Sequence, residues 1–318
     1  MKKDLKKPLK KKKVIKKEKL SKKETYKKDS SKIEGKKLSS KFIIFFLIIF
    51  IIIQVIGFLT FSYYSSFEDL RITLITDDPN DIVNALFIIG QILLITGIIL
   101  LIKRFSKRTG YLKFFEYIAL FFGMVIVFDV FLLYVIGLYL AVLLLFTKYL
   151  LEKNAPEYKK TIMWYNNIFL GIAIAGAGAI IGLSLGIIPV IVFIILLSIY
   201  DIIAVFYTKH MIDLAKTFSK TKMALIFYIP SKERVYQLGA GDIVIPLVVS
   251  SSLYFYLLNL LPLNIIILVL ILLWISSLIG LFLTFYILKV RNLKAMPALP
   301  LQALFMVIVI VLTITFLI

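Results

Sequence analysis

The sequence predicts an all-α polytopic membrane protein of nine transmembrane helices, with its amino terminus in the cytoplasm and its carboxyl terminus outside. Three observations carry this expectation. The chain is 61% hydrophobic with a mean hydropathy of +0.97, far above soluble proteins. Apolar runs long enough to cross a ~30 Å hydrocarbon core recur along it. The basic residues, finally, collect on one side of the arrangement those runs imply.

Residues 1–41 form the first of three segments, a lysine-rich tail with almost nothing to bury, as in "KKPLKKKKVIKKEKL". It reads as a disordered cytoplasmic tail suited to lie on anionic lipid. Polylysine beside a membrane span marks the cytoplasmic side, so no nucleic-acid partner is expected. The net charge of +20 comes largely from this tail and says little about a substrate. With no cysteine, disulfides and thiolate metal sites are excluded, and neither a metal nor a cofactor is expected.

The second segment, 42–186, holds five spans, and the third, 187–318, holds four. The run from Phe42 to about Tyr64 is too long for the apolar region of a signal peptide and lacks an Ala-x-Ala type site, so it reads as a retained first helix. Apolar stretches follow at roughly 82–102, 114–128, 130–147, 162–183, 187–208, 241–258, 263–288 and 301–318. Only Asp129 marks a turn between the third and fourth, where it reads as a solvated hairpin residue. Gly186 and Pro189 punctuate the turn between the fifth and sixth. With nine spans and a cytoplasmic tail, all but Arg71 of the 38 basic residues lie in the tail or in loops 103–113, 148–161, 209–240 and 289–300. A miscounted helix would destroy that division. The product is an integral, multi-pass protein of the cell membrane.

Smaller features fit this frame. Asp81, at the end of "DDPND", reads as the N-cap of the second span rather than part of a calcium loop. Gly178, Gly182 and Gly186 give small-xxx-small spacing in the fifth span, which favours close helix packing. Gln54 and Gln91 read as interhelical hydrogen-bonders. His210, the single histidine, reads as a residue at a cytoplasmic helix end.

Two further aspartates, Asp201 and Asp242, lie inside apolar spans, where an ionisable group is costly and is a functional hypothesis by default. Asp201 is eight residues before Lys209 and Asp242 eight after Arg234. If those stretches are helical, both carboxylates reach about 12 Å inside the same border. Extended chain in "VYQLGAG" makes the second depth an upper estimate. Two acids at one depth suit an aspartic dyad that activates water, a cation or proton site in an ion or solute transporter, or unrelated polar packing.

The surrounding residues separate these options. Tyr200-Asp201, then Gly239-Ala240-Gly241-Asp242, then Pro297-Ala298-Leu299 stand in spans six, seven and nine. Their order and placement resemble the presenilin and signal peptide peptidase family of intramembrane aspartyl proteases, and among those the compact microbial presenilin homologues. The resemblance covers about residues 187 to 305. It implies a presenilin-like fold and a Gly-x-Gly-Asp endopeptidase whose substrates are single-span transmembrane helical proteins, with Asp201 and Asp242 as the catalytic pair. One acid would take a proton from water while the other donates to the peptide carbonyl. Prepilin-type peptidases share Gly-x-Gly-Asp but not the other two motifs.

Gly239 and Gly241 are open to two readings: close approach of substrate or unusual dihedrals near Asp242, or small residues for packing. Pro297 and Pro300 either deny the backbone an ordinary helical pattern or simply start the last helix. In "FYIPSKERVYQLGAG", the β-prone runs Ile226-Phe227-Tyr228 and Val235-Tyr236 suit either an edge strand for an extended substrate or an amphipathic linker.

Overall fold

The computed structural model describes residues 40–67, 75–105, 110–154, 159–208, 211, 214, 223–230, 235–291 and 295–317. The amino-terminal tail, Arg71, Ser106, Lys209, His210 and Arg234 lie outside the described residues. The helices are α1 (Ser40–Tyr64), α2 (Ile82–Phe105), α3 (Gly110–Phe131), α4 (Tyr134–Asn154), α5 (Lys159–Leu183), α6 (Ile187–Ile202), α7 (Gly241–Leu257), α8 (Leu263–Val290) and α9 (Leu299–Leu317). Between α6 and α7 stand two short strands, β1 (Ile226–Pro230) and β2 (Val235–Gly239). Among the described residues, eight helices are long and apolar enough to span a membrane, while α7 is shorter. The order and turns match the nine expected spans.

Helix α7 is short because β2 occupies the chain up to Gly239. Its 17 residues reach only about 26 Å, less than a full hydrocarbon core. Asp242 is therefore in the first turn of its helix rather than two turns in, preceded by the extended chain of β2.

The core forms around α5 and α7. Small residues let these helices approach closely, as the spacing in the fifth span predicts. A Cβ on Gly182 would lie 2.4 Å from the Val248 carbonyl of α7, and one on Gly178 would lie 2.9 Å from Leu247. On another side, a Cβ on Gly176 would sit 2.2 Å from the Gly123 carbonyl of α3, so α3 and α5 also cross nearly backbone to backbone. Gly186 is outside α5, which ends at Leu183. It packs instead on the loop before α2, where its N–H donates to the Pro79 carbonyl at 2.7 Å. Asp81 caps α2 as expected, its Oδ1 accepting from the Val83 N–H at 2.9 Å.

Three expectations need correction. Asp129 is not a solvated turn residue: it ends up half-buried within α3, and Tyr64 Oη of α1 donates to its Oδ2 at 2.8 Å. Gln54 is a fully buried interhelical donor, whereas Gln91 faces outward on α2. Lys148 is no loop charge, because α4 continues to Asn154. Its ammonium is buried between Glu116 Oε1 at 2.8 Å and Glu152 Oε1 at 2.6 Å, and Lys113 also pairs with Glu152. A buried cation is tolerated only with partners of this kind, and losing one typically costs about 3–5 kcal/mol.

Candidate active site

Asp201 is the penultimate residue of the α-helical part of α6. Beyond it the helix widens into a π-helical turn over Ile203–Tyr207, closed by the Thr208 N–H on the Ile203 carbonyl at 3.0 Å. Such turns insert a residue without ending the helix and frequently mark functional sites. Nothing in the spacing of "YDIIAVFY" announces it.

The amino-terminal end of α9 meets Asp201. Helix termini leave their first N–H groups without intrahelical partners, and Pro297 and Pro300 have none to offer. The amide of Leu299 donates to Asp201 Oδ2 at 3.3 Å, and the Ala298 amide faces the same carboxylate. Pro297, Ala298 and Leu299 are buried, so this motif both begins α9, with Pro300 in its first turn, and holds the Asp201 carboxylate. The two readings of these prolines are compatible.

Asp242 enters from the other side, one residue into α7. Pro246 lies four residues on, inside the helix, where its missing N–H leaves the Asp242 carbonyl without its usual helical donor. Gln302 Nε2 of α9 supplies the replacement, donating to that carbonyl at 3.1 Å and contacting Ser277 Oγ of α8 at 3.2 Å. Gln54 Nε2 of α1 donates to the next carbonyl, Ile243, at 3.0 Å. Two fully buried glutamines thus fix the backbone that carries Asp242. Gln302 was missed in the sequence, although a proline four residues after an intramembrane acid and a glutamine in an apolar span were both visible. Replacing Gln302 by Leu should leave a buried carbonyl unsatisfied and cost about 1–3 kcal/mol. A lower melting temperature together with reduced cleavage checks this.

Asp201 and Asp242 line one cavity of about 380 Å³, together with Gly239, Ala240, Gly241, Ala298 and the apolar side chains of Val205, Met211, Leu214, Leu225, Ile226 and Met296. Among the described lining residues these two carboxylates are the only acids, and the described residues contain no group of three His, Cys, Asp or Glu side chains that could hold a metal ion. Tyr200, beside Asp201 on α6, is half-buried and is not one of the described lining residues.

The glycines act through space rather than strain. Neither has the positive φ that would favour glycine, so unusual dihedrals are not their role. A Cβ on Gly241 would meet nothing within 4 Å, and one on Gly239 would come 3.7 Å from Asp242 Oδ2. Both keep the cavity wall beside Asp242 free of side chain.

The β-prone runs form a paired antiparallel hairpin rather than a linker, with Ile226 opposite Gly239 and Tyr228 opposite Gln237. Burial, and then the charge of Glu116, push the Tyr228 phenol up to about 12. It therefore stays neutral and donates to the Met223 carbonyl at 3.2 Å.

Known proteins agree with this architecture. The family model described as signal-peptide peptidase, presenilin aspartyl protease matches residues 47–317. Two crystal forms of a presenilin family intramembrane aspartate protease share the fold. One, in space group C222, has a TM-score of 0.55 and 21% identity over 83% of this chain and 94% of that one. The other, in P2, has a TM-score of 0.56 and 22% identity over 84% and 95%. A comparison with curated proteins gives no match. The transporter reading of the two aspartates loses its footing, because the match extends over nearly the whole membrane region and not just three short motifs. The chain belongs to the signal-peptide peptidase and presenilin family, and it is a multi-pass intramembrane aspartyl protease.

Proposed function

We propose that the protein is a Gly-x-Gly-Asp endopeptidase in which Asp201 and Asp242 are the catalytic pair, cutting single-span transmembrane proteins near the cytoplasmic end of the span. The observation that carries this reading is their shared cavity, one acid from α6 and one from α7, with apolar walls around them. In the reaction one carboxylate accepts a proton from water as its oxygen attacks the scissile carbonyl. The other, protonated, donates to the carbonyl oxygen, and the tetrahedral species collapses with proton transfer to the leaving nitrogen. Low-dielectric walls strengthen each of these interactions.

A peptide bond inside a helix has its carbonyl hydrogen-bonded and shielded, so the substrate must be extended before it is cut. The edge of β2 next to Gly239, which no strand covers among the described residues, suits strand addition, and Gly239 and Gly241 leave room for the added backbone. Residues 1–41 act as a cytoplasmic tail on anionic lipid, with 42–186 supporting the site formed within 187–318.

The test is cleavage of a transmembrane peptide by the purified protein in detergent. Cleavage should occur between residues of the apolar segment and should be blocked by a transition-state analogue of aspartyl proteases, since such analogues bind at least ~100-fold tighter than substrates. Cleavage that the analogue leaves untouched overturns the assignment.

A further inference from the structure

The two-stranded sheet beside the cavity has two outer edges, and one of them is already occupied. In an antiparallel pair, residues alternate between exchanging both peptide groups with the partner strand and pointing both away from it. Tyr228 of β1 points away, and a single side chain takes both its groups. Its N–H donates to Asn167 Oδ1 at 2.8 Å, and Asn167 Nδ2 donates to its carbonyl at 2.8 Å. The primary amide of Asn167, on α5, stands where a third strand would pair. Both residues are buried, at 6% and 4% exposure, so water is a poor substitute. The approach to β1 is held as well: the Ala224 N–H donates to Glu116 Oε1 at 2.9 Å, and that carboxylate is the partner of buried Lys148.

The parity on β1 fixes the parity on β2. Gln237 is opposite Tyr228, so its peptide groups also point away from the ladder, and so do those of Val235 and Gly239 at two-residue spacing. Among the described residues no strand pairs with that outer edge. It runs to Gly239 on the cavity wall, three residues before Asp242.

We propose that Asn167 is a positioning residue for cleavage: by closing the edge of β1 it leaves the peptide groups of Val235, Gln237 and Gly239 to receive the extended substrate and sets its register against the two aspartates. This rests on the strand-addition reading above. An asparagine is suited to the task because it offers a donor and an acceptor at once. Aspartate would set a carboxylate against the Tyr228 carbonyl, and leucine would offer neither group. A substrate paired on β1 instead would lie about 4.8 Å farther from the strand that leads into Asp242.

The experiment uses the full-length protein and a transmembrane peptide in which successive backbone amides near the cut are replaced by esters. In the wild type, esters at alternate positions should slow cleavage. In Asn167→Leu, kcat should fall about tenfold, the loss of roughly one hydrogen bond, with KM less changed. Its cuts should spread over neighbouring bonds, and the alternation should weaken. An Asn167→Leu enzyme that keeps the wild-type cut site and alternation overturns the proposal, whatever its melting temperature. If esters show no alternation in the wild type, strand addition itself fails; if they alternate but Asn167→Leu changes nothing, only the role of Asn167 fails. Should Asn167→Leu not fold, a proline comparison decides. Gln237→Pro removes a donor from the outer edge and should fold but cleave poorly, while Leu238→Pro breaks the β1 ladder and should lower the melting temperature. The reverse ranking overturns the parity.

Discussion

Asp201→Asn and Asp242→Asn should each lower cleavage of a transmembrane peptide by about 1,000-fold or more, within the range that general acid–base groups contribute. Asparagine keeps the size and polarity of aspartate but cannot exchange the proton that the reaction moves. The fold should survive both changes. The Leu299 amide that donates to Asp201 Oδ2 finds the same acceptor in an asparagine carbonyl, so α9 stays docked. At Asp242 the bonds from Gln302 and to its neighbour from Gln54 go to backbone carbonyls, not to the carboxylate, so the helix start is equally untouched. Melting temperatures close to wild type with activity lost are therefore expected. On the proposed mechanism the pair acts as one unit, so the double variant should be no worse than either single one. The wild type should lose activity on both sides of a pH optimum, as the pair gains or loses its shared proton. Substantial cleavage by either single variant, in protein free of wild-type enzyme, removes that residue from the dyad.

Much of the candidate site was legible because its parts are local in sequence. Asp201, Asp242 and Leu299 are each marked by immediate neighbours, and apolar length with the distribution of lysines yields the span count. Features that depend on a distant partner were not legible. Pro246 frees the Asp242 carbonyl by a rule readable in "GDIVIP", but only the fold brings Gln302 to that carbonyl from 60 residues away. Asn167 is one of two adjacent asparagines in an apolar helix, and nothing nearby shows that it faces Tyr228, 61 residues on. Glu116 is a buried acid that no neighbouring motif marks, and Lys148, although charged, lies inside α4. Paired, the two charges offset much of the cost of entering the interior, and hydropathy cannot see pairing. The π turn after Asp201 is likewise invisible, since no glycine or proline marks Ile203–Tyr207.

Among two reporters that carry one cleavable segment in opposite orientations, the one with its amino terminus outside the cell should be cut and the other left nearly intact. The reasoning starts from a correlation within the fold. Ala224, at the start of the hairpin, is bonded to Glu116, and Glu116 is paired with Lys148, near Lys113 and Glu152. The sheet, and with it the cavity that Ile226 and Gly239 line, is therefore at the end of α3 and α4 that carries the basic residues. Since basic ends face the cytoplasm, the cavity is expected on the cytoplasmic side and Ser66, at the opposite end of α1, outside. The edge of β2 has a direction, fixed by its continuation into α7 and Asp242. A substrate strand must run in one sense along it to present its scissile carbonyl to the two acids. Turning the substrate over in the bilayer reverses that sense, and each lost backbone pairing is worth about 1 kcal/mol, so several together exclude the wrong orientation. Presenilin-like and signal peptide peptidase-like proteins resemble one another in motifs yet are inserted oppositely, and the positive-inside division here matches the presenilin sense. Co-expression with both reporters, followed by mass spectrometry of the fragments, reads the result. A cysteine at Ser66 that labels from outside intact cells, and one at Ser106 that does not, fix the orientation of the enzyme in the same preparation. Preferential cleavage of the reporter with a cytoplasmic amino terminus, with that labelling pattern intact, would show that strand direction on β2 does not select the substrate.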